Sequence, residues 1–206
     1  MAVIQLPSTL KLKSLVVGQR RHDLDFSNPE SGNGSVRPLG PPQWTYSFTS
    51  DDQMDLLQAS EWEALQMQMR GRINRLEAWD VGKPAPLGTM RGTMTLNGAH
   101  AAGAVTLNIS AAGQGSKTLL QGDWLRVASG LGTSQLVKVL GAATADVSGN
   151  IAVTVEPPLR LAFTSGTAVS WDKPTAFYQL ESADASWKYE RAIQGSFSLT
   201  LVEKWY

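Results

Sequence analysis

The sequence predicts a mainly β protein with one helix, and three observations lead there. Apolar and polar residues alternate with a period of two through most of the chain. Gly, Pro, Asn and Ser punctuate the alternating runs. Only one short segment carries a helical period. Two β-rich units are expected. The run from Gly122 to Pro174 holds four short strands in about fifty residues, the pattern of a small barrel or curled sheet of the OB-like kind. It is read as an insertion into a second β-rich unit, which supplies the helix.

Taken in order, Leu10, Leu12 and Val16 alternate with Thr9, Lys11 and Lys13, a half-buried strand at or near a sheet edge. SNPESGNGSVRPLGPP, from Ser27 to Pro42, is too rich in Pro, Gly, Ser and Asn to bury apolar area. It is read as an extended surface loop, a natural arm for a neighbouring subunit in an assembly. Trp44, Tyr46 and Phe48 share one strand face, and Thr45, Ser47 and Thr49 the other. Ser60 and Glu63 have the spacing of a capping box, so a helix is expected near 61–70, with Trp62, Leu65 and Met69 on its buried face and Gly71 as its stop. Ile73, Trp79 and Val81 continue as a strand until GKPAPLG, Gly82 to Gly88, breaks it. The domain boundary is placed there, giving residues 1–87 with 175–206 as one unit and 88–174 as the other.

Inside the insertion, Met90, Met94 and Leu96 form one alternating run, and Val105, Leu107 and Ile109 a second. Strands follow at Leu125 and Val127, at Val137 and Val139, and at Ile151, Val153 and Val155. Asp146 to Asn150, DVSGN, supplies a tight turn in which Gly149 takes positive φ. Pro157 and Pro158 end the third of these strands, and Val169 with Trp171 marks a fourth. The C-terminal strand places Phe197, Leu199, Leu201 and Trp205 on one face.

Composition narrows the function classes. With no cysteine among 206 residues there is no disulfide, thiolate nucleophile or Cys-based zinc site. Lys+Arg 18 balance Asp+Glu 18, and the charged share of 17% is below the typical quarter, which argues against a dedicated nucleic-acid binder. Seven Trp and a hydrophobic share of 42% on so weakly charged a chain suggest a protein that hides surface against partners. No run of about 18 apolar residues exists, so no membrane span is expected, and the N-terminus reads as a strand rather than a signal peptide.

No constellation of residues promises catalysis. The sequence lacks G-x-S-x-G, and His22 and His100 stand in unrelated contexts, His22 with only Asp23 and Asp25 as a fragment of a coordination shell. GLGTSQ, from Gly130 to Gln135, has no following Lys or helix and reads as a hairpin connection rather than a phosphate loop. The clusters at Gln19 to Arg21 and Arg70 to Arg72 read as solvated edges or ion-pair partners. No catalytic, metal or cofactor residue is assigned, no cofactor is expected, and a hydrolase assembled only by the fold is the least favoured reading. A sugar-binding module is the alternative, because Trp faces stack on sugar rings. Trp44, Trp62, Trp79 and Trp205 sit in phase with apolar neighbours, while Trp124 and Trp187 look less buried.

The segment from Leu119 to Leu180 has a G-D-W strand, a V-x-x-V-x-A-D-x-x-G-N-like hairpin, a PPLR turn and a strand ending before Pro with an aromatic and Leu after it. The residues are Gly122, Asp123, Trp124, Val139, Asp146, Gly149, Asn150, Pro157, Pro158, Leu159, Arg160, Pro174, Phe177 and Leu180. This pattern resembles the insertion region of distal tail proteins of long, non-contractile-tailed bacteriophages. The Pro/Gly loop before Trp44 and the helix leading into RGRINRLEAWD are similar to that family's N-terminal half. The resemblance implies a β-sandwich with a helix that forms a hexameric ring, and an inserted domain pointing outward. It implies a structural virion protein without enzymatic activity at the tail tip, assembled in the host cytoplasm. Its partners would be its own copies, the tail tube protein, and the hub, tip and fibre proteins, with DNA only as cargo of the lumen and no membrane. Trp44, Arg70, Arg72, Trp79 and Trp205 are the candidate subunit-interface residues.

Overall fold

The computed structural model describes residues 2–7, 9–27, 30, 34–51, 55–130, 132–184, 188–190 and 194–205. They form a mainly β protein with one helix and a closed barrel. Contacts divide it into two units, Met1–Ala78 with Phe177–Lys204, and Trp79–Ala176 with Trp205–Tyr206. The division falls at Ala78/Trp79 rather than at Gly88, so the Pro-containing turn after Trp79 belongs to the inserted unit.

The first unit opens with β1 (Val3–Gln5) and β2 (Leu12–Arg20). A bulge between Leu12 and Ser14 reverses the phase of β2. The alternation expected at Leu10, Leu12 and Val16 therefore fails after Leu12. Leu15 and Val17 turn toward the core side opposite Phe48 and Tyr46, and Val16 faces outward at 62% exposure.

The expected loop from Ser27 to Pro42 is corrected in part. Strands β3 (Asp23–Ser27) and β4 (Gly34–Pro38) pair antiparallel as a hairpin whose ten residues are all exposed, and Leu39 N–H donates to the His22 carbonyl at its base. The ladder forms because Leu24 and Phe26 alternate with polar residues. Pro38 is tolerated because it stands at the last pair, opposite Asp23. Residues 28, 29 and 31–33 of that stretch lie outside the described residues.

Strand β5 (Gln43–Ser50) buries Trp44, Tyr46 and Phe48 on one face, as its alternation predicts. Helix α1 (Leu56–Met69) begins a turn earlier than expected. Asp55 and Gln58 form the capping box, with Gln58 N–H donating to the Asp55 carboxylate at 2.8 Å. Ser60 lies inside the helix, its hydroxyl donating to the Leu56 carbonyl at 2.9 Å. Trp62, Leu65 and Met69 are buried, and Arg70 stops the helix in a left-handed conformation with φ 48°. In β6 (Arg75–Trp79) the buried residues are Leu76 and Ala78. Ile73 is 61% exposed because it sits in the turn that bonds back to Arg70 and Met69, before the strand begins.

The second unit is a closed, all-antiparallel barrel. In chain order its strands are β7 (Met94–Leu96), β8 (Thr106–Ser110), β9 (Thr118–Leu119), β10 (Trp124–Ala128), β11 (Ser134–Val139), β12 (Ala143–Thr144), β13 (Asn150–Glu156) and β14 (Ala168–Ser170). Six of them close in the order β10-β11-β13-β8-β7-β14, one more than an OB-fold uses, and β9 pairs with β12 beside them. The alternation dictates the interior: Leu107, Ile109, Leu125, Val127, Val137 and Val155 are all fully enclosed. Each such side chain contributes about 1.5–3 kcal/mol by leaving water.

The chain then returns to the first unit as β15 (Thr175–Leu180), β16 (Lys188–Glu190), β17 (Gln194–Ser196) and β18 (Ser198–Glu203). Strands β16 and β17 form a small hairpin, and the main sheet runs β1-β6-β15-β18-β5-β2. Its buried face joins Tyr46 edge-on to Tyr178, with centroids 4.6 Å apart, and the helix docks on it through Trp62 stacked on Phe197 at 6.0 Å. Trp205 does not continue the face of Phe197, Leu199 and Leu201. It follows the last strand and belongs to the barrel unit, under the Arg160 guanidinium.

Residues 79–176 expressed alone should therefore fold with one sharp urea transition, and Leu107→Ala should lower that stability by about 2–5 kcal/mol. A broad, non-cooperative transition of the isolated segment would contradict the division.

Candidate functional site

The pattern residues of the inserted unit are brought together as struts of the barrel. Asp123 is 2% exposed, and its carboxylate accepts from the amides of Leu87 (2.7 Å), Gly88 (3.2 Å) and Leu120 (2.7 Å). A buried carboxylate requires such donors. Here they bind the entry segment of the barrel to the corner before β10. Gly122 takes φ 90° at that corner, its N–H donating to the Val139 carbonyl while Val139 N–H donates to that of Asp123. Trp124, expected to be less buried, is 3% exposed, and its indole N–H donates to Asp80 at 3.0 Å.

The DVSGN turn is held by Asp146, whose carboxylate accepts from the amides of Ser148 (2.8 Å) and Asn150 (2.9 Å) and from the Asn150 side chain. These bonds, those of Asn150 foremost, hold its carboxyl below the usual Asp range. Gly149 takes φ 86°, and a Cβ there would lie 2.0 Å from the Ala111 carbonyl oxygen, so no other residue fits. The turn leads from β12, not directly from β11, into β13.

The Pro157, Pro158 and Arg160 turn depends on a residue that no motif flags. Gln135, 2% exposed, donates to the Pro158 carbonyl at 2.9 Å and accepts from Arg160 N–H at 2.7 Å. Arg160 in turn donates to the Ser134 carbonyl and lies 4.1 Å over the Trp205 ring. Only the oddity of a Gln leading into Leu136 and Val137 of a buried strand could have pointed to it. Pro174 is buried, between Lys173 and β15.

Both histidines are engaged in the fold. His100 Nε2 accepts from Asn108 N–H at 3.0 Å, which leaves Nδ1 to donate to the Gly98 carbonyl at 3.2 Å. His22 Nε2 donates to Gln43 Oε1 at 3.1 Å, and Gln43 donates onward to the Glu203 carbonyl. Among the described residues, no group of three or more His, Cys, Asp or Glu side chains could hold a metal ion. No described helix is long and apolar enough to cross a membrane.

Of the five candidate interface residues, Trp44, Arg70 and Arg72 belong to the first unit and Trp79 and Trp205 to the second. Trp44 is 6% exposed and lies in the core of its own unit, its N–H donating to Glu203 at 3.0 Å, so it is corrected to a core residue. Arg70 is the exposed helix stop. Arg72 donates to the Glu181 carbonyl and lines an open depression of about 410 Å³ with Arg20, His22, Gln43 and Lys204. Trp79 lies under Lys173, 5.6 Å from the ring centroid, as Trp205 lies under Arg160. Trp171 is likewise covered by Arg91 at 5.1 Å and Trp124 by Lys138 at 4.5 Å. Four tryptophans of the barrel unit thus have a cation on the face a sugar ring would need. Trp187 lies outside the described residues.

The main sheet is open at its edges. Strand β2 runs for nine residues and, among the described residues, pairs only with β5, while β1 at the opposite edge has three residues. Beside β2 in sequence, the β3–β4 hairpin exposes Phe26 (56%) and Val36 (60%), with Leu39 exposed just beyond β4. Comparison of the chain with protein-family models and with curated proteins returns no match.

Two outcomes follow from this geometry. Asp123→Ala should cost about 2–4 kcal/mol by leaving three amides without their acceptor, read from the urea midpoint; a loss under about 0.5 kcal/mol would contradict the strut role. Asp146 titrates below its unfolded value, so its stabilisation is present above the unfolded pKa and fades as pH falls through the folded one. The stability gap between wild type and Asp146→Asn should accordingly shrink between about pH 7 and about pH 2. A gap constant across that range would contradict it.

Proposed function

We propose that the chain is a structural, non-enzymatic protein of a phage tail tip. It acts as a distal tail protein whose copies form a hexameric ring joining the tail tube to the hub, tip and fibre proteins, with DNA passing only through the lumen. The observation that carries this reading is the edge of the first unit: a nine-residue strand paired on one side, next to a hairpin that projects apolar side chains. Such an edge is a template for another chain, and soluble proteins either blunt it or cover it. An isolated two-stranded hairpin is marginal by itself. A neighbouring copy would satisfy both, and a closed ring repeats one contact around an axis without leaving a free edge. The pattern from Gly122 to Leu180 that resembles the distal tail family supports the particular assembly.

The alternative, a carbohydrate-binding module, has less support, because Trp79, Trp124, Trp171 and Trp205 are covered by cations rather than open as platforms. The solution mass of the full chain tests the assembly. A hexamer is expected, and Val16→Pro, which removes a donor from β2 and introduces a rigid φ, should lower the mass toward monomer while the barrel stays folded. A chain that remains monomeric at high concentration and is retained on glycan columns would count against the ring and for the alternative.

A further inference from the structure

One corner of the barrel unit gathers three lysines, Lys83, Lys138 and Lys173. Lys83 stands in the turn after Asp80, its N–H donating to the Asp80 carbonyl at 2.9 Å. Lys138 projects from β11 with its ammonium 4.5 Å from the centroid of Trp124. Both side chains lean toward Gly122: a Cβ at that position would lie 3.4 Å from Lys83 Nζ and 4.0 Å from Lys138 Cε. Lys173 joins the same corner, since its N–H donates to the Pro84 carbonyl at 2.7 Å and its ammonium lies over Trp79.

Two carboxylates stand near: Glu156 is the cross-strand partner of Lys138, and Asp80 favours the charged form of Lys138 while its oxygens accept from neutral donors. Asp80 accepts from Gly82 N–H at 3.0 Å through Oδ1 and from the Trp124 indole at 3.0 Å through Oδ2. Among the described residues, neither Lys83 nor Lys138 has a carboxylate within ion-pair distance. Like charges this close oppose each other, and the Lys138 ammonium is held below its usual range by partial burial first and by Lys83 second. The positions are also set in advance. Trp124 is 3% exposed and anchored through its N–H to Asp80, so the ring under Lys138 is already packed in place before an anion arrives.

We propose that the Lys83–Lys138 corner, with Lys173 at its rim, binds a phosphate group. The two ammoniums are compact point charges approaching one open spot from different elements, which suits a tetrahedral oxyanion with diverging oxygens. A doubly charged phosphate gains more from two such charges than a singly charged carboxylate does. The bound anion relieves the repulsion between the lysines, and that relief is the source of selectivity for a highly charged group. This inference is independent of the ring: a monomeric chain that bound phosphate here would support it and still count against the assembly.

The test is NMR of the full chain carrying 13Cε-labelled lysine, titrated with inorganic phosphate, methyl phosphate, dimethyl phosphate and acetate in turn. The Lys83 and Lys138 signals should move together and saturate with phosphate, and the apparent pKa of Lys138 should rise on saturation. A merely structural lysine would not show that rise. Saturation by the dimethyl ester as well as the monoester would assign the site to a phosphodiester polymer, and saturation by inorganic phosphate and monoester alone to a terminal phosphate. Lys83→Met and Lys138→Met should each weaken binding by about tenfold or more, whereas Lys138→Arg, which keeps charge and ring contact, should retain it. Lys11→Met, in the other unit, serves as the unaffected control. Thermal melts of the Met variants establish that the barrel is intact, and the wild-type titration stands whether or not they fold. Absence of saturable shifts in the wild type, equal saturation by acetate, or undiminished binding in both folded Met variants would overturn the proposal.

Discussion

An open β-sheet has two edges, and what happens at them constrains the rest of this molecule. The inserted unit removes its edges by closing: six antiparallel strands pair around a ring until β14 meets β10, and Leu107, Ile109, Leu125 and Val137 fill the interior. The first unit has no such closure. At one end of its sheet β1 is only three residues long, which limits what it can template. At the other, β2 offers nine residues, with a bulge confined to its N-terminal end and Val16 facing outward. An edge that long and that regular is a liability in a protein that works alone. It is an asset in one that works as part of a ring.

The side chains of the inserted unit that look chemical are consumed in keeping the barrel in shape. Asp123 is spent on three amides, Asp146 on its own turn, His100 on an amide and a carbonyl, and Gln135 on the carbonyls of the proline turn. These groups answer the demand that buried polar atoms find partners, and they do so in loops that strand pairing cannot reach. The pattern resembling the distal tail family falls largely on such positions. It is therefore a signature of how the barrel's corners are built rather than of where anything binds. The Lys83–Lys138 corner is the exception, a place where two lysines lean toward Gly122 and, among the described residues, neither has a carboxylate within ion-pair distance.

Strand content and the barrel interior were legible in the sequence, because period-two alternation acts residue by residue: Trp44, Tyr46 and Phe48, or Ile151, Val153 and Val155, need no tertiary knowledge to be placed. Errors arose where a local competitor won. Asp55 and Gln58 offered an earlier capping box than Ser60 and Glu63, a bulge reversed the phase at Val16, and a loop-like composition concealed the β3–β4 ladder. The interface residues were the least legible. Trp44 looked equally suited to core or contact, and its burial to 6% exposure in the fold decides for the core. The phosphate corner was not visible at all, since Lys83, Gly122, Lys138 and Lys173 are adjacent only in the fold.

Imaging a long-tailed particle that carries this chain, with a tag placed in the exposed connection after Ser129, tests the assembly most directly. Six tags arranged around the axis at the distal end of the tail tube, outside a continuous ring formed by the first unit, are the expected result. Tags on fibres only, or a tail tip without six-fold density from this chain, would contradict it.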